Sequence, residues 1–164
     1  MEQKIEELTD KEKIWIQQQL AGAAQLVEIM IPEAAGQPIT LDNLDRAFAA
    51  WMAMNESDPE VVNAIINQVG IAFGQFVVDH LPLRWVIATD KRGTDLAVYG
   101  LPGKGDVLLY PANLVAKRWE QRETPFLEKC YQETATQVRA LSSGSGAEKS
   151  EAAPKGFLKR LFGK

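Results

Sequence analysis

At Pro82 the apolar residues of this chain change their spacing. Before Pro82 they recur at three- and four-residue intervals, the period of one face of an α-helix. After it they gather in short runs bounded by glycine and proline, as strands do. A chain carrying both periods in separate blocks cannot be all-α or all-β, and strands with short links and no helical crossovers pair antiparallel. The expected fold class is α+β: three N-terminal helices packed with a three-stranded antiparallel meander, closed by one or two C-terminal helices and followed by a disordered tail.

Local signals place the elements. Thr9-Asp10-Lys11-Glu12 has the spacing of a capping box. The stripe Ile16, Leu20, Ala23, Val27 and Met30 follows it, and Pro32 ends the helix. A second helix over Leu41 to Met54, capped by Thr40, buries Leu41, Leu44, Phe48 and Trp51. Ser57-Asp58-Pro59-Glu60 starts a third, with Val62, Ile65, Ile66, Val69, Phe73, Phe76 and Val77 inward. Gly70 and Gly74 lie one turn apart within it; each costs up to about 1 kcal/mol of helix propensity against Ala, so they mark a close approach of another element. Strands are expected over Arg84–Thr89, Thr94–Tyr99 and Val107–Tyr110, with Gly93 in the first turn. A short helix, Ala112–Gln121, places Leu114, Val115 and Trp119 inward. Thr124-Pro125 reads as cap and first position of the last helix, whose face holds Phe126 or Leu127, Cys130, Tyr131, Thr134, Val138 and Leu141.

Composition changes again at Ser142. Residues 1–141 form one domain, 142–155 a disordered linker without large apolar residues, and 156–164 a short basic motif. Of 18 basic residues five lie in 142–164, and of 22 acidic residues only two do, so an acidic body carries a basic tail. Phe157, Leu158, Leu161 and Phe162 fall on one helical face, with Lys159 and Arg160 between them. Such a segment is too short to hold a helix alone in water, and reads as one that docks. Its dock is a groove on a protein partner, an anionic membrane surface, or the acidic body itself.

The rest of the inventory points away from catalysis. One Cys and one His leave no disulfide framework and too few ligands for a zinc site. The acidic body disfavours non-specific nucleic-acid binding. The acidic start lacks the apolar region of a signal peptide, and no stretch reads as long and apolar enough to span a membrane, so a cytoplasmic location is expected, with the tail as a membrane contact in the alternative. Asp79 and His80 are adjacent on a helix and point about 100° apart, an unsuitable geometry for an acid–base pair. Cys130 lies on an apolar face and suits core packing. Gly103-Lys104-Gly105 precedes a strand rather than a helix, so it is no phosphate loop. Asp42 and Asp45 sit one turn apart beside Arg46, on what reads as an exposed face, without further metal ligands. No cofactor or metal is expected. Around the sheet, Arg84, Asp90, Asp95, Lys117 and Arg118 form a charged set suited to an anion or peptide site, or equally to a solvated surface.

The segment from Phe73 to about Val138 resembles a bacterial family known as domain of unknown function 3806. The resemblance rests on Phe73-Gly74-Gln75-Phe76, Trp85, Asp90, Gly93, Asp95, Pro111, Val115 and Lys117-Arg118. It implies a helical layer with a small antiparallel sheet and a bacterial source. It implies no activity and assigns no site residues. The expected function is therefore recognition: a non-catalytic binding or adaptor protein whose tail docks on a protein partner. A peripheral membrane protein is the first alternative. The second is an enzyme or small-molecule binder using Arg84, Asp95 and Lys117.

Overall fold

The computed structural model describes residues 3–143. The elements, in chain order, are β1 (Lys4–Glu6), α1 (Asp10–Met30), a 3-10 turn (Pro32–Ala34), α2 (Leu41–Met52) and α3 (Pro59–His80). Then follow β2 (Arg84–Asp90), β3 (Gly93–Gly100), β4 (Val107–Leu109), α4 (Pro111–Gln121) and α5 (Leu127–Ser142). The fold is α+β. The sheet has four strands, in the order β1-β2-β3-β4, all antiparallel. The expected three-stranded meander is thus corrected by one strand. β1 holds a single apolar residue, Ile5, and three residues are too few to show a period. The linker and tail motif expected beyond Ser143, including Phe157, Leu158, Lys159, Arg160, Leu161 and Phe162, lie outside the described residues.

The helix starts follow local chemistry. The Glu12 carboxylate accepts from the Thr9 N–H at 2.7 Å and from its hydroxyl at 2.6 Å. The Thr40 hydroxyl accepts from Asn43 N–H, and Asp58 Oδ1 from Glu60 N–H. The expected stripes face inward: Leu41, Leu44, Phe48 and Trp51 of α2 are buried, as are Val62, Ile66, Val69, Phe73 and Val77 of α3. α3 does have the length and mean hydropathy, 1.6 over 18 residues, of a segment able to cross a membrane. That corrects the expectation that no stretch would qualify. Half of that window is buried inside the fold, and α3 packs on α1, α2, α4 and β3.

Gly70 and Gly74 are the seam on which α4 and the sheet meet α3. A Cβ at Gly70 would sit 2.6 Å from Ala112 Cα, so α4 begins with its backbone against that of α3. A Cβ at Gly74 would overlap the Trp85 ring, whose Nε1–H donates to Gln75 Oε1 at 3.0 Å. The absence of two side chains brings β2 and α4 onto α3 together.

α5 begins differently from the expectation. Thr124 is not its cap: the helix starts at Leu127, after a cis Thr124–Pro125 bond. Its N-terminus is capped from α2. Asp45 Oδ1 accepts from Phe126 N–H at 3.1 Å, and Oδ2 accepts from Leu127 N–H at 3.0 Å. Asp45 is only 4% exposed, so the exposed Asp42–Asp45 face is also corrected: Asp42 alone lies outside, 4.0 Å from Arg46. Burial raises the Asp45 carboxyl above its ordinary range, while the N–H groups of Phe126, Leu127 and Glu128 pull it down.

Two sets of outcomes follow. Gly70→Ala should cost about 1–3 kcal/mol in urea unfolding, because the obstacle is backbone. Gly22→Ala meets only the flexible end of Gln68, so its gain of up to about 1 kcal/mol in helix propensity should offset the contact. Asp45→Ala strands two buried N–H groups and should cost about 2–3 kcal/mol. Asp45→Asn keeps one acceptor and should cost less. A raised folded-state pKa means the folded chain holds this proton more tightly than the unfolded one. The associated stability is full below the unfolded pKa and is lost as pH rises through the folded value. Measured against Asp45→Asn, wild-type stability should therefore fall as pH rises from about 4 toward neutrality.

Candidate functional site

The two sheet faces differ. One face, with Trp85, Val98, Val107 and Leu109, joins the helical core. The other, outer face carries Val86, Ala88, Ala97, Leu108 and Tyr110, with Ile5 and Tyr99 packed against them. This second cluster draws its members from the strands and the residue after β4, yet Val86, Ala88 and Ala97 are almost fully buried. The Gln3 amide donates to the Tyr110 hydroxyl at 3.2 Å, joining the two edges of a sheet about 14 Å across. Alanines at 88 and 97 leave room beneath that bridge. Burial raises the Tyr110 pKa, and the charges of Asp90 and Asp95 raise it further.

The five charged residues expected to form a site are not gathered into one. Arg84 opens β2, bonds Glu7 Oε1 at 2.6 Å and lies 6.0 Å from the Tyr99 ring centre. Asp90 closes the same strand six residues on, about 20 Å away. Its Oδ1 accepts from Arg92 N–H at 2.8 Å. Asp95 pairs with Ala88 on the outer face near that end. Lys117 is exposed on α4. Arg118 turns toward α5, with Nη1 3.0 Å from Glu123 Oε1 and Cζ 5.9 Å from the Phe126 ring centre. Arg84, Asp95 and Lys117 therefore do not converge on one pocket.

The single histidine and cysteine are engaged in packing. His80 stacks on Phe76 with ring centres 4.0 Å apart, and its Nδ1 lies 2.8 Å from the Phe76 carbonyl oxygen. Tyr131 meets both rings edge-on. Cys130 is buried, and burial pushes its thiol up to about 11, although Arg118 pulls it the other way. A thiol so placed is protonated at neutral pH and is a poor nucleophile. Among the described residues, no group of three His, Cys, Asp or Glu is placed to hold a metal ion.

A concave feature of ligand-sized volume lies elsewhere, between α1, α3 and the helix-facing side of the β2–β3 hairpin. It encloses about 570 Å³. Ile14 and Trp15 of α1, Ile71 of α3, and Ile87 and Leu96 of the hairpin supply its apolar walls. Gln18, Asn67 and Thr94 place polar groups among them, Lys11 and Glu12 supply charge, and Asp95 borders the groove from the strand edge. Ala112 closes the floor beside Ile71, next to the Gly70–Ala112 contact. Ile14 stands at the lip of the groove, 59% exposed. The volume and the apolar lining with a few polar groups match sites that take apolar ligands or side chains.

The sequence held one signal for this groove. Ile14, Trp15 and Ile16 are consecutive, and three successive helical positions cannot share one face. Ile16 belongs to the core stripe, so Ile14 had to point elsewhere.

Comparison with known proteins adds a family. The model of a domain of unknown function, DUF3806, matches residues 44–131, from α2 through the sheet and α4 into α5. No curated protein and no solved structure matches the chain. The match takes in α3, β2, β3, β4 and α4, the elements that meet at the Gly70 and Gly74 seam, and it covers more than half of the sequence: the chain belongs to the DUF3806 family.

Proposed function

We propose that this chain is a non-catalytic binding module whose groove between α1, α3 and the β2–β3 hairpin receives an apolar polypeptide segment. The observation that carries the reading is the wall formed by Ile14, Trp15, Ile71, Ile87 and Leu96. An aromatic residue and branched aliphatics around a concave surface give a partner's side chains area to bury, at about 25 cal/mol per Å² of apolar surface. Ile14 supports it too: a large aliphatic side chain left 59% exposed beside a groove is available to a partner. The packing of His80 and the raised Cys130 thiol favour recognition over catalysis at those residues. Under this reading the charged residues at the rim, Lys11 and Glu12, set orientation and encounter rate more than affinity.

Site-specific photocrosslinking in cells tests the proposal. A photoreactive amino acid at position 14 should yield a discrete crosslinked polypeptide. The same probe at Ile29, a more exposed aliphatic residue on α1 outside the groove lining, should not. Leu96→Asp should abolish the product at position 14 while leaving the folded spectrum unchanged. Equal crosslinking from both positions, or a product at 14 indifferent to Leu96→Asp, contradicts the reading. Co-sedimentation with anionic vesicles that survives Leu96→Asp and vanishes on removing residues 155–164 would favour the membrane alternative.

A further inference from the structure

We propose that the resident occupant of this groove is the chain's own C-terminal motif, residues 156–164, which a partner segment must displace. The inference rests on the groove being a binding site. Three observations support the assignment.

The first is reach. The described chain ends at Ser143, and Leu141 of α5 packs at Gly105, in the loop between β3 and β4. Gly105 lies two residues before Val107, the partner of Gly100, so the path from there back to the groove wall at Leu96 is about 20 Å along the sheet. Residues 144–156 number 13, and a Gly/Ser-type linker of that length has a mean reach of roughly 20 Å. The tether therefore matches the distance, and the effective concentration of a matched tether reaches the millimolar range.

The second is chemistry. Phe157, Leu158, Leu161 and Phe162 recur at i, i+1, i+4 and i+5, so a single helical turn and a half offers four large apolar side chains to one side. The groove offers Ile14, Trp15, Ile71, Ile87 and Leu96 in return. Docking also removes the cost of nucleating so short a helix in water, since burial accompanies the turn.

The third is charge. The motif and its flank carry Lys155, Lys159, Arg160 and Lys164 with no acidic residue between them. At the rim Lys11 and Glu12 are one charge of each sign, and the Glu12 pKa is lowered by its bond from the Thr9 hydroxyl; Asp95 borders the groove with its side chain on the other face of the sheet. The body as a whole is acidic. Attraction between the two parts steers the tail home rather than into solvent.

A full-length chain with Gly163→Cys, carrying a nitroxide on that cysteine, tests the assignment by NMR. The native Cys130 is buried and is not labelled in the folded chain. The Ile14, Trp15 and Leu96 signals should be lost to paramagnetic broadening, and should return when Phe157→Ser and Leu161→Ser are added to the same labelled chain. Groove signals that stay sharp, or that stay broadened with both anchors replaced, overturn the proposal. Mixing the labelled chain with an unlabelled, isotope-enriched copy must leave the enriched copy sharp. Broadening there assigns the groove to a second copy and overturns the intramolecular docking. Crosslinking from position 14 separates this inference from the one beneath it. With the anchors replaced, capture of a partner should rise. Capture that persists unchanged while the tail leaves no broadening defeats only the tail; loss of both defeats the groove as well.

Discussion

The arrangement depends on a close approach that only glycine permits. At Gly70 the backbone of α3 touches the first turn of α4, and at Gly74 it receives the Trp85 ring from β2. Two missing side chains thus bring one helix and one strand onto the same stretch of α3. The loss in helix propensity, about 1 kcal/mol for each glycine, is set against a deeper interface on both sides. Because α4 follows β4 directly, with Pro111 at its start, the seam also fixes the sheet relative to the helices. The groove is a consequence: Ala112 and Ile71 form its floor at the seam, and the β2–β3 hairpin overhangs it from the side.

The second constraint comes from the far side of the molecule. α5 has an N-terminus without a local cap, because its N-cap residue, Phe126, has no side-chain acceptor. Asp45 supplies the acceptor from α2 and in doing so ties α5 to the helical layer. Phe126 meets Phe48 edge-on beside that tie, with ring centres 6.0 Å apart, so the polar contact sits within apolar packing. The line of α5 then carries Leu141 to the β3–β4 loop, which sets where the chain leaves the body. The place where the described residues end therefore depends on a carboxylate on α2.

Much of this was legible in the residues. The inward stripes of α2 and α3, the caps at Thr40 and Asp58, the turn at Gly93 and the role of Gly70 and Gly74 are all local or periodic, and local chemistry governs them. What was not legible depended on distance in sequence. Asp45 reads as a surface carboxylate beside Asp42 until its partners, 81 and 82 residues on, are known. Thr124-Pro125 carries a helix-start signal, but with Asp45 capping the helix from outside, the start moves to Leu127. β1 owes its existence to pairing with β2, Ile5 opposite Ala88, and not to any pattern of its own. The candidate site was the hardest part to read. Charge suggested Arg84, Asp90, Asp95, Lys117 and Arg118, of which only Asp95 borders the groove; its apolar walls come from four separate stretches of chain.

A recognition role for this fold requires that the groove bind an apolar segment. The most direct measurement is methyl NMR of the full-length chain carrying Phe157→Ser and Leu161→Ser, titrated with a synthetic peptide of residues Lys155–Lys164. The methyl signals of Ile14, Ile71, Ile87 and Leu96 should move together along one saturating curve while Ile29 and Ile39 stay in place. Stationary groove methyls, or shifts centred on Ile29, would contradict it.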